Sequence, residues 1–409
     1  MPARSEAATH AASQSRVIPG SSLAGEPLTR HRSARGAVLT MFFVNGAALA
    51  TWVPLIPAVQ QKLGLNAGEV GIALLGVAVG AVISTPSTGW LVGRAGGRRV
   101  VTLAAIVGCV VLPLLPLAPT LPVLTLTLVV FGAALGTMDV AMNIQGSAVE
   151  ALYQRPLMST FHGFYSIGGF SGALTSGALA ALSIAPFERA LGPALLLGAA
   201  AIAVHQWLPT TQPHTAGRPS RERVRVIRLS LPMAALGLMA FCSLLAEGAS
   251  GDWSAIYLHK SLGADAAFAA TAFAAFSVAM AVARLSGDWL TRRLGATQLL
   301  RSGGALAALG LTATLLFGRP ALAVGAFGLI GLGLANVVPT LFSAAGRSRS
   351  LPPRVAIAAV ASTGYAGLLA GPPLIGFVAQ AFTLTRALIV VVVCCAVIAL
   401  LAPMVRRSS

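Results

Sequence analysis

The chain is expected to fold as an all-α membrane protein with twelve transmembrane helices in two pseudo-symmetric six-helix halves. Three observations predict this. Mean hydropathy is +0.82 and only 10% of the residues are charged, too few to cover a soluble protein of 41.4 kDa. Apolar runs of about 20 residues, the length that spans a bilayer as a helix, recur along the whole chain. One set of landmarks occurs twice. Trp52, Leu63-Gly64 and Trp90-Leu91-x-x-Arg94-x-Gly96 are matched by Trp253, Leu262-Gly263 and Trp289-Leu290-x-x-Arg293-x-Gly295. Gly64 to Trp90 and Gly263 to Trp289 are both intervals of 26 residues. Membrane chains with repeated halves pack them about a central path, as many transporters do.

The spans are expected near 37–60, 68–93, 100–118, 121–146, 158–183, 190–208, 229–258, 266–290, 299–317, 321–345, 355–382 and 387–405. These runs are continuous rather than alternating, which argues against a β-barrel. Residues 1–35 are rich in Ala, Ser and Arg without an apolar run, and read as a disordered cytoplasmic tail rather than a signal peptide. Residues 36–208 form the first half, 209–228 a polar cytoplasmic linker with Pro209, Pro213 and Pro219, and 229–409 the second half.

Charge orients the bundle. With both termini cytoplasmic, twenty-three basic residues lie inside and five outside, namely Lys62, Arg189, Lys260, Arg319 and Arg386. The positive-inside rule reads this bias as a multi-pass membrane protein with both termini cytoplasmic. It also accounts for the net charge of +17 without nucleic acid, since the bases are dispersed over many short loops. They also favour anionic headgroups of the lipid bilayer. Cys109, Cys242, Cys394 and Cys395 lie in predicted spans without metal-ligand spacing and read as apolar filler. No metal, cofactor or catalytic residue is expected. The expected partners are a small-molecule solute, protons and lipid, with the protein a monomer.

Acids are scarce, so their positions carry information. Of eleven Asp and Glu, only Asp139, Glu247 and Asp252 fall inside apolar sequence. A carboxylate at bilayer depth costs about 2.5 kcal/mol or more, so such residues usually face a cavity and carry function. Asp139 and Asn143 are four apart, on one helical face. Asp139 is the candidate proton-coupling residue. Glu247 is the second, open between that role and a structural tie. Asp252 reads first as a solvated helix end or gate residue. His162 either meets solute, relays a proton or ties helices. Asn45 and Asn336 lie at cavity depth, and Asn336 stands where Asp139 stands in the other half. Polar ties across helices are the plain alternative for both. The candidate solute-binding set is Asn45, Trp52, Asn143, His162, Asp252, Trp253 and Asn336. Glycines in the fifth and eleventh spans suit close helix contact. Pro54, Pro57 and Pro339 are placed to break helices and free carbonyls beside the cavity.

These residues resemble a family. Gly89-Trp-Leu-Val-Gly93-Arg94-Ala-Gly96-Gly97-Arg98-Arg99 is similar to the Gly-x-Leu-x-Asp-Arg-x-Gly-Arg-Arg signature of the major facilitator superfamily. The resemblance covers roughly 37–405. Phe42-Phe43 through Pro54-Leu-Ile-Pro57, the Asp139–Asn143 segment and Glu247 to Trp253 look like the fucose-permease-related branch of bacterial inner-membrane carriers. That resemblance implies alternating access, and a protonation site in the fourth span at Asp139. The branch's second acid, in the first span, has no counterpart, since Trp52 and Val53 stand nearest. The signature's acid is Gly93. An inner-face gate of Gly93, Arg94, Arg98 and Asp288 is therefore expected to be weak, with Arg94 and Arg98 facing Asp288 and the resting state inward-open.

Together these readings predict a secondary active transporter. The solute is small, organic and sugar-like or otherwise polar, taken up with protons. The rival is proton-coupled efflux. The fifth-span Gly168-Gly169-Phe-Ser-Gly172 lacks the proline of drug:proton antiporters. Gly169-Phe-Ser171-Gly172 also matches the short serine motif of rhomboid proteases, but twelve spans in related halves fit no intramembrane protease, and the chain is not expected to be an enzyme. A non-transporting receptor on the same fold is a third reading.

Overall fold

A computed structural model describes residues 28–210, 230–348 and 350–408, all helices and their connections. The first half comprises α1 (Leu28–Trp52), α2 (Ala67–Ala95), α3 (Gly97–Val111), α4 (Leu121–Tyr153), α5 (Met158–Ala181) and α6 (Pro186–Val204). The second comprises α7 (Leu231–Ile256), α8 (Ala266–Leu294), α9 (Ala296–Phe317), α10 (Pro320–Leu334, resuming as Val337–Gly346), α11 (Pro353–Ala381) and α12 (Ile389–Leu401). Eleven of these twelve spans are long and apolar enough to cross a membrane. The exception is α5, whose 24 residues include His162, four serines and two threonines. Ser159, Thr160 and Ser166 of this helix meet the second half.

The sequence repeat is a repeat of helix punctuation. Gly64 and Gly263 have φ of 65° and 70°, and Gly96 and Gly295 have 83° and 77°. Each landmark glycine thus ends a span at a positive φ that a Cβ would disfavour. The second-span openings match too. Asn66 and Glu69 form a reciprocal capping box on α2, and Asp265 accepts from the Phe268 amide on α8. The paired Trp-Leu-x-x-Arg motifs place Arg94 over Trp90 at 5.8 Å and Arg293 over Trp289 at 5.7 Å.

Small residues let backbones touch. A Cβ on Gly168 would lie 2.1 Å from the Phe43 carbonyl oxygen, which locks α5 against α1. Gly367 does the same for α11, 2.2 Å from the Phe241 carbonyl.

Several edges differ from expectation. α1 begins at Leu28, inside the expected tail, because the segment from Leu28 onward continues the helix below the apolar run. Residues 1–27 and most of the 209–228 linker lie outside the described residues. α3 tightens to a 3-10 segment over Leu112–Leu117, where Pro113 and Pro116 remove amide donors. α4 continues to Tyr153, well past 146. Arg284, counted among the bases of the cytoplasmic side, sits ten residues inside α8, about 15 Å along the helix from its Leu294 end.

Contacts between the halves gather on the arginine-rich side, where α1 and α7 begin. There Thr85 accepts from Ser362 at 3.2 Å, and Gly89 and Gly93 of α2 lie against Arg354 of α11. At the opposite end Val53, just past α1, is half exposed.

Candidate functional site

Five helices bring one polar cluster together between the halves. α4 supplies Asp139 and Asn143, and α5 supplies His162, Tyr165 and Ser166. The second half adds Glu247 on α7, Arg284 on α8 and Tyr365 on α11. Arg284 is the hub. Its Nη2 donates to Glu247 Oε1 at 3.1 Å and Oε2 at 3.4 Å. Its Nη1 donates across the halves to Ser166 Oγ at 3.2 Å. Its Nε donates to the Ala335 carbonyl at 3.4 Å. That carbonyl is open because the residue four places on, Pro339, has no amide hydrogen. The break in α10 therefore has a use.

Charge bookkeeping singles out Asp139. The positive charge of Arg284 is matched by Glu247. Asp139 meets only neutral groups among the described residues. Its Oδ1 accepts from Asn143 Nδ2 at 3.2 Å, and its carboxylate interacts with the Tyr365 hydroxyl of the other half. Tyr165 stands within electrostatic reach of Asp139, Glu247 and Arg284. A carboxylate withdrawn from water without a cation is the expensive kind, and a bound proton removes that cost.

A second chain runs from Asp139 toward the arginine-rich side. Asn143 Nδ2 also bonds the Asp139 carbonyl at 2.9 Å, and Asn143 Oδ1 meets His162 Nε2 at 3.1 Å. With the amide assigned this way, Nε2 carries the hydrogen and donates. The buried His162 ring lies edge-on to Phe42 at 5.2 Å and stacks on Phe342 of the second half at 5.9 Å.

The structure thus gathers Asp139, Asn143, His162 and Glu247, and leaves the other expected residues apart. Asn45 donates to the Leu135 carbonyl at 3.4 Å and to Met142 Sδ at 3.6 Å, a tie inside the first half. Asn336 donates to the Ala283 carbonyl at 3.0 Å and fills the space beside Gly287. Both follow the plain reading of asparagines between helices. Trp52 is buried at the side of the first half, Trp253 packs on Gly376, and Asp252 is exposed near the end of α7. Sequence reasoning missed Arg284, Tyr165, Ser166 and Tyr365.

The gate is built differently from expectation. Arg94 stacks on Trp90 of its own helix, and Arg98 donates from Nε to the Leu208 carbonyl at 2.9 Å within its own half. Neither meets Asp288. Asp288 instead accepts from the amides of Ser159 and Thr160, both at 3.0 Å, and from the Thr160 hydroxyl. A helix start leaves its first amides unpaired and attracts negative charge, so α5 is the better partner. Glu150 completes the cap with the amides of Leu157 at 2.8 Å and Met158 at 3.1 Å, and bonds Ser343 and Arg347 of the second half. One carboxylate from each half therefore closes the start of α5. In this structure these contacts hold the arginine-rich face together despite Gly93.

Gly93 nonetheless leaves room for a stronger latch. A Cβ there would lie 2.9 Å from Arg354 Nε, the movable end of a long side chain. Gly93→Asp would set a carboxylate beside that guanidinium. A half-exposed pair is worth about 0.5–1 kcal/mol, or a few-fold in the closed-to-open ratio. Spin-label distances across the arginine-rich face, without solute, should shift toward the closed population. Unchanged or longer distances would sink the idea.

A family model for the Major Facilitator Superfamily matches residues 38–354. An uncharacterized MFS-type transporter of Yersinia pestis is 37% identical over 346 residues, covering 85% of this chain and 89% of that protein. The membrane protein MosC of Rhizobium meliloti is 32% identical over 359 residues, covering 87% and 86%. Among solved structures, the fold is similar to that of the E. coli fucose:proton symporter FucP, with a TM-score of 0.76 at 17% identity, covering 92% of this chain and 98% of that one. The twelve-helix, two-half architecture and the match along most of the sequence lead to one conclusion: the chain belongs to the Major Facilitator Superfamily.

Proposed function

We propose that the protein is a proton-coupled carrier that takes up a small polar, sugar-like solute across the inner membrane, with its arginine-rich face and both termini cytoplasmic. The halves rock about the cluster between them, and Asp139 carries the proton. One observation supports this above the rest. Asp139 is a carboxylate without a cation, held by neutral groups from both halves where those halves must part. Its charge state therefore bears on contacts that differ between the two access states, the condition for coupling proton binding to rocking. The similar fold of a fucose:proton symporter supports the same reading.

The test begins with a thermal-shift screen of the purified protein against sugars, sugar acids, nucleosides and hydrophobic cations. A ligand of the folded state raises apparent stability by mass action. The stabilising solute is then offered to proteoliposomes with an imposed pH gradient. Accumulation that follows the inward proton gradient is expected. Extrusion of a hydrophobic cation would replace uptake with efflux.

Orientation has its own test. Reporter fusions at Thr215 should behave as cytoplasmic, and fusions after Lys260 as external. A periplasmic signal from Thr215 would overturn the orientation and the six-plus-six layout.

A further inference from the structure

We propose that Arg189 is a positioning residue that clips the outer end of α1 to the first half, and that release of this clip lets that end bend when the protein changes access. Two prolines set the joint. Pro54 and Pro57 have no amide hydrogen, so the carbonyls of Ala50 and Val53 lose their helical partners. α1 ends at Trp52 and tightens to a 3-10 turn over Val53–Leu55. The chain resumes as a short helix over Ile56–Leu63 that stops at Gly64. Helix kinks gather at such sites.

Below the joint, α1 and α5 lie backbone to backbone. The contact of Phe43 with Gly168 is followed one turn on by Ala47 and Gly172, where a Cβ would lie 2.3 Å from the Ala47 carbonyl oxygen. The contact then stops, since a Cβ on Gly177 would meet nothing within 4 Å. A side chain takes over. Arg189, near the start of α6, donates from Nη2 to the Pro54 carbonyl at 2.8 Å and from Nε to the Ser176 carbonyl of α5 at 3.2 Å. The side chain is buried, while the adjacent Glu188 is exposed. Bonds from a guanidinium to carbonyls are strong, yet they strand no opposite charge when they break. The second half is built otherwise. Arg386, just before α12, is exposed and lies over the Phe382 ring at 6.0 Å. With the arginine-rich face held together in this structure, the opposite change of access must bring the outer ends of the halves together. The end of α1 then has to leave its seat at Arg189, so the clip favours the access state seen here. The proposal rests on alternating access, and not on Asp139 or the identity of the solute.

Spin labels on Gln61→Cys and Ser261→Cys report the outer side of the full-length protein in nanodiscs, without solute. Labels on Arg99→Cys and Gln298→Cys report the arginine-rich side. All four positions are exposed. Arg189→Gln should raise the ratio of short to long outer distances about tenfold, the worth of one hydrogen bond to a charged group, and lengthen the inner distances in step. Arg189→Lys, which keeps a donor for the Pro54 carbonyl, should restore most of the wild-type ratio. Local fraying of α1 would broaden the outer distances alone. Unchanged populations, or broadening without a change on the inner side, would overturn the proposal. Should Arg189→Gln not fold, Pro57→Ala decides. It returns an amide to the Val53 carbonyl and should slow hydrogen exchange over residues 50–63, and exchange at the wild-type rate would overturn the joint. Uptake by the wild type tests alternating access separately from either result.

Discussion

Arg284→Gln is expected to be among the most damaging single changes in the polar core. It leaves Glu247 between the halves without its cation, and removes the bond that Ser166 makes across the halves. Removing one partner of a buried pair costs about 3–5 kcal/mol. The two side chains keep 12% and 25% exposure, so the loss should fall at the lower end of that range. Glu247→Gln should cost a similar amount, because it strands the guanidinium. The double variant Arg284→Gln, Glu247→Gln strands neither charge. It should recover most of the lost melting temperature in nanodiscs. A double variant no more stable than either single one would show that the pair is not what the singles break. Transport separates the roles further. The double variant keeps Asp139 intact and should still show pH-dependent uptake, at a lower rate, because the Ser166 bond that steadies one access state is gone.

Arg284 shows where sequence reading stops. It precedes the basic Arg292–Arg293 end of its span and so reads as one more base on the cytoplasmic side. Its position inside α8 follows from pairing with Glu247 on another helix, and no local pattern encodes that pairing. Tyr165 and Tyr365 were hidden for another reason. Tyrosine is tolerated at many membrane positions, so its presence in a span singles out nothing. Asp139 and Asn143 were legible because buried acids are rare and costly, and because a spacing of four puts both on one face. The twelve-span, two-half architecture was legible from hydropathy and from the repeat. The repeat is now understood as matched glycines at positive φ and matched Trp–Arg stacks. The gate was misread because the signature loop drew attention to Arg94 and Arg98. The latch uses Glu150 and Asp288 on a helix start, and only the packed bundle sets that start beside Asp288. Pro339 was read correctly as a source of a free carbonyl, though its partner proved to be Arg284 rather than solute or water.

Asp139→Asn is the other change of large expected effect. The amide keeps the shape and can still bond Asn143 and Tyr365, but it cannot gain or lose a proton. Binding of solute and its exchange across the membrane should survive in part, since neither needs net proton movement. Accumulation against a gradient should vanish. The pH dependence of uptake should vanish with it, because the group whose charge changes between the access states is gone.

The most direct measurement is therefore of protons rather than solute. Proteoliposomes in weak buffer, with no imposed gradient, receive the solute identified by thermal shift while external pH is recorded. Wild type should alkalinise the medium as solute and proton enter together. Asp139→Asn should exchange labelled solute and leave the external pH unchanged. Alkalinisation by Asp139→Asn at the wild-type ratio of protons to solute would contradict the account, and would place the coupling proton on another group.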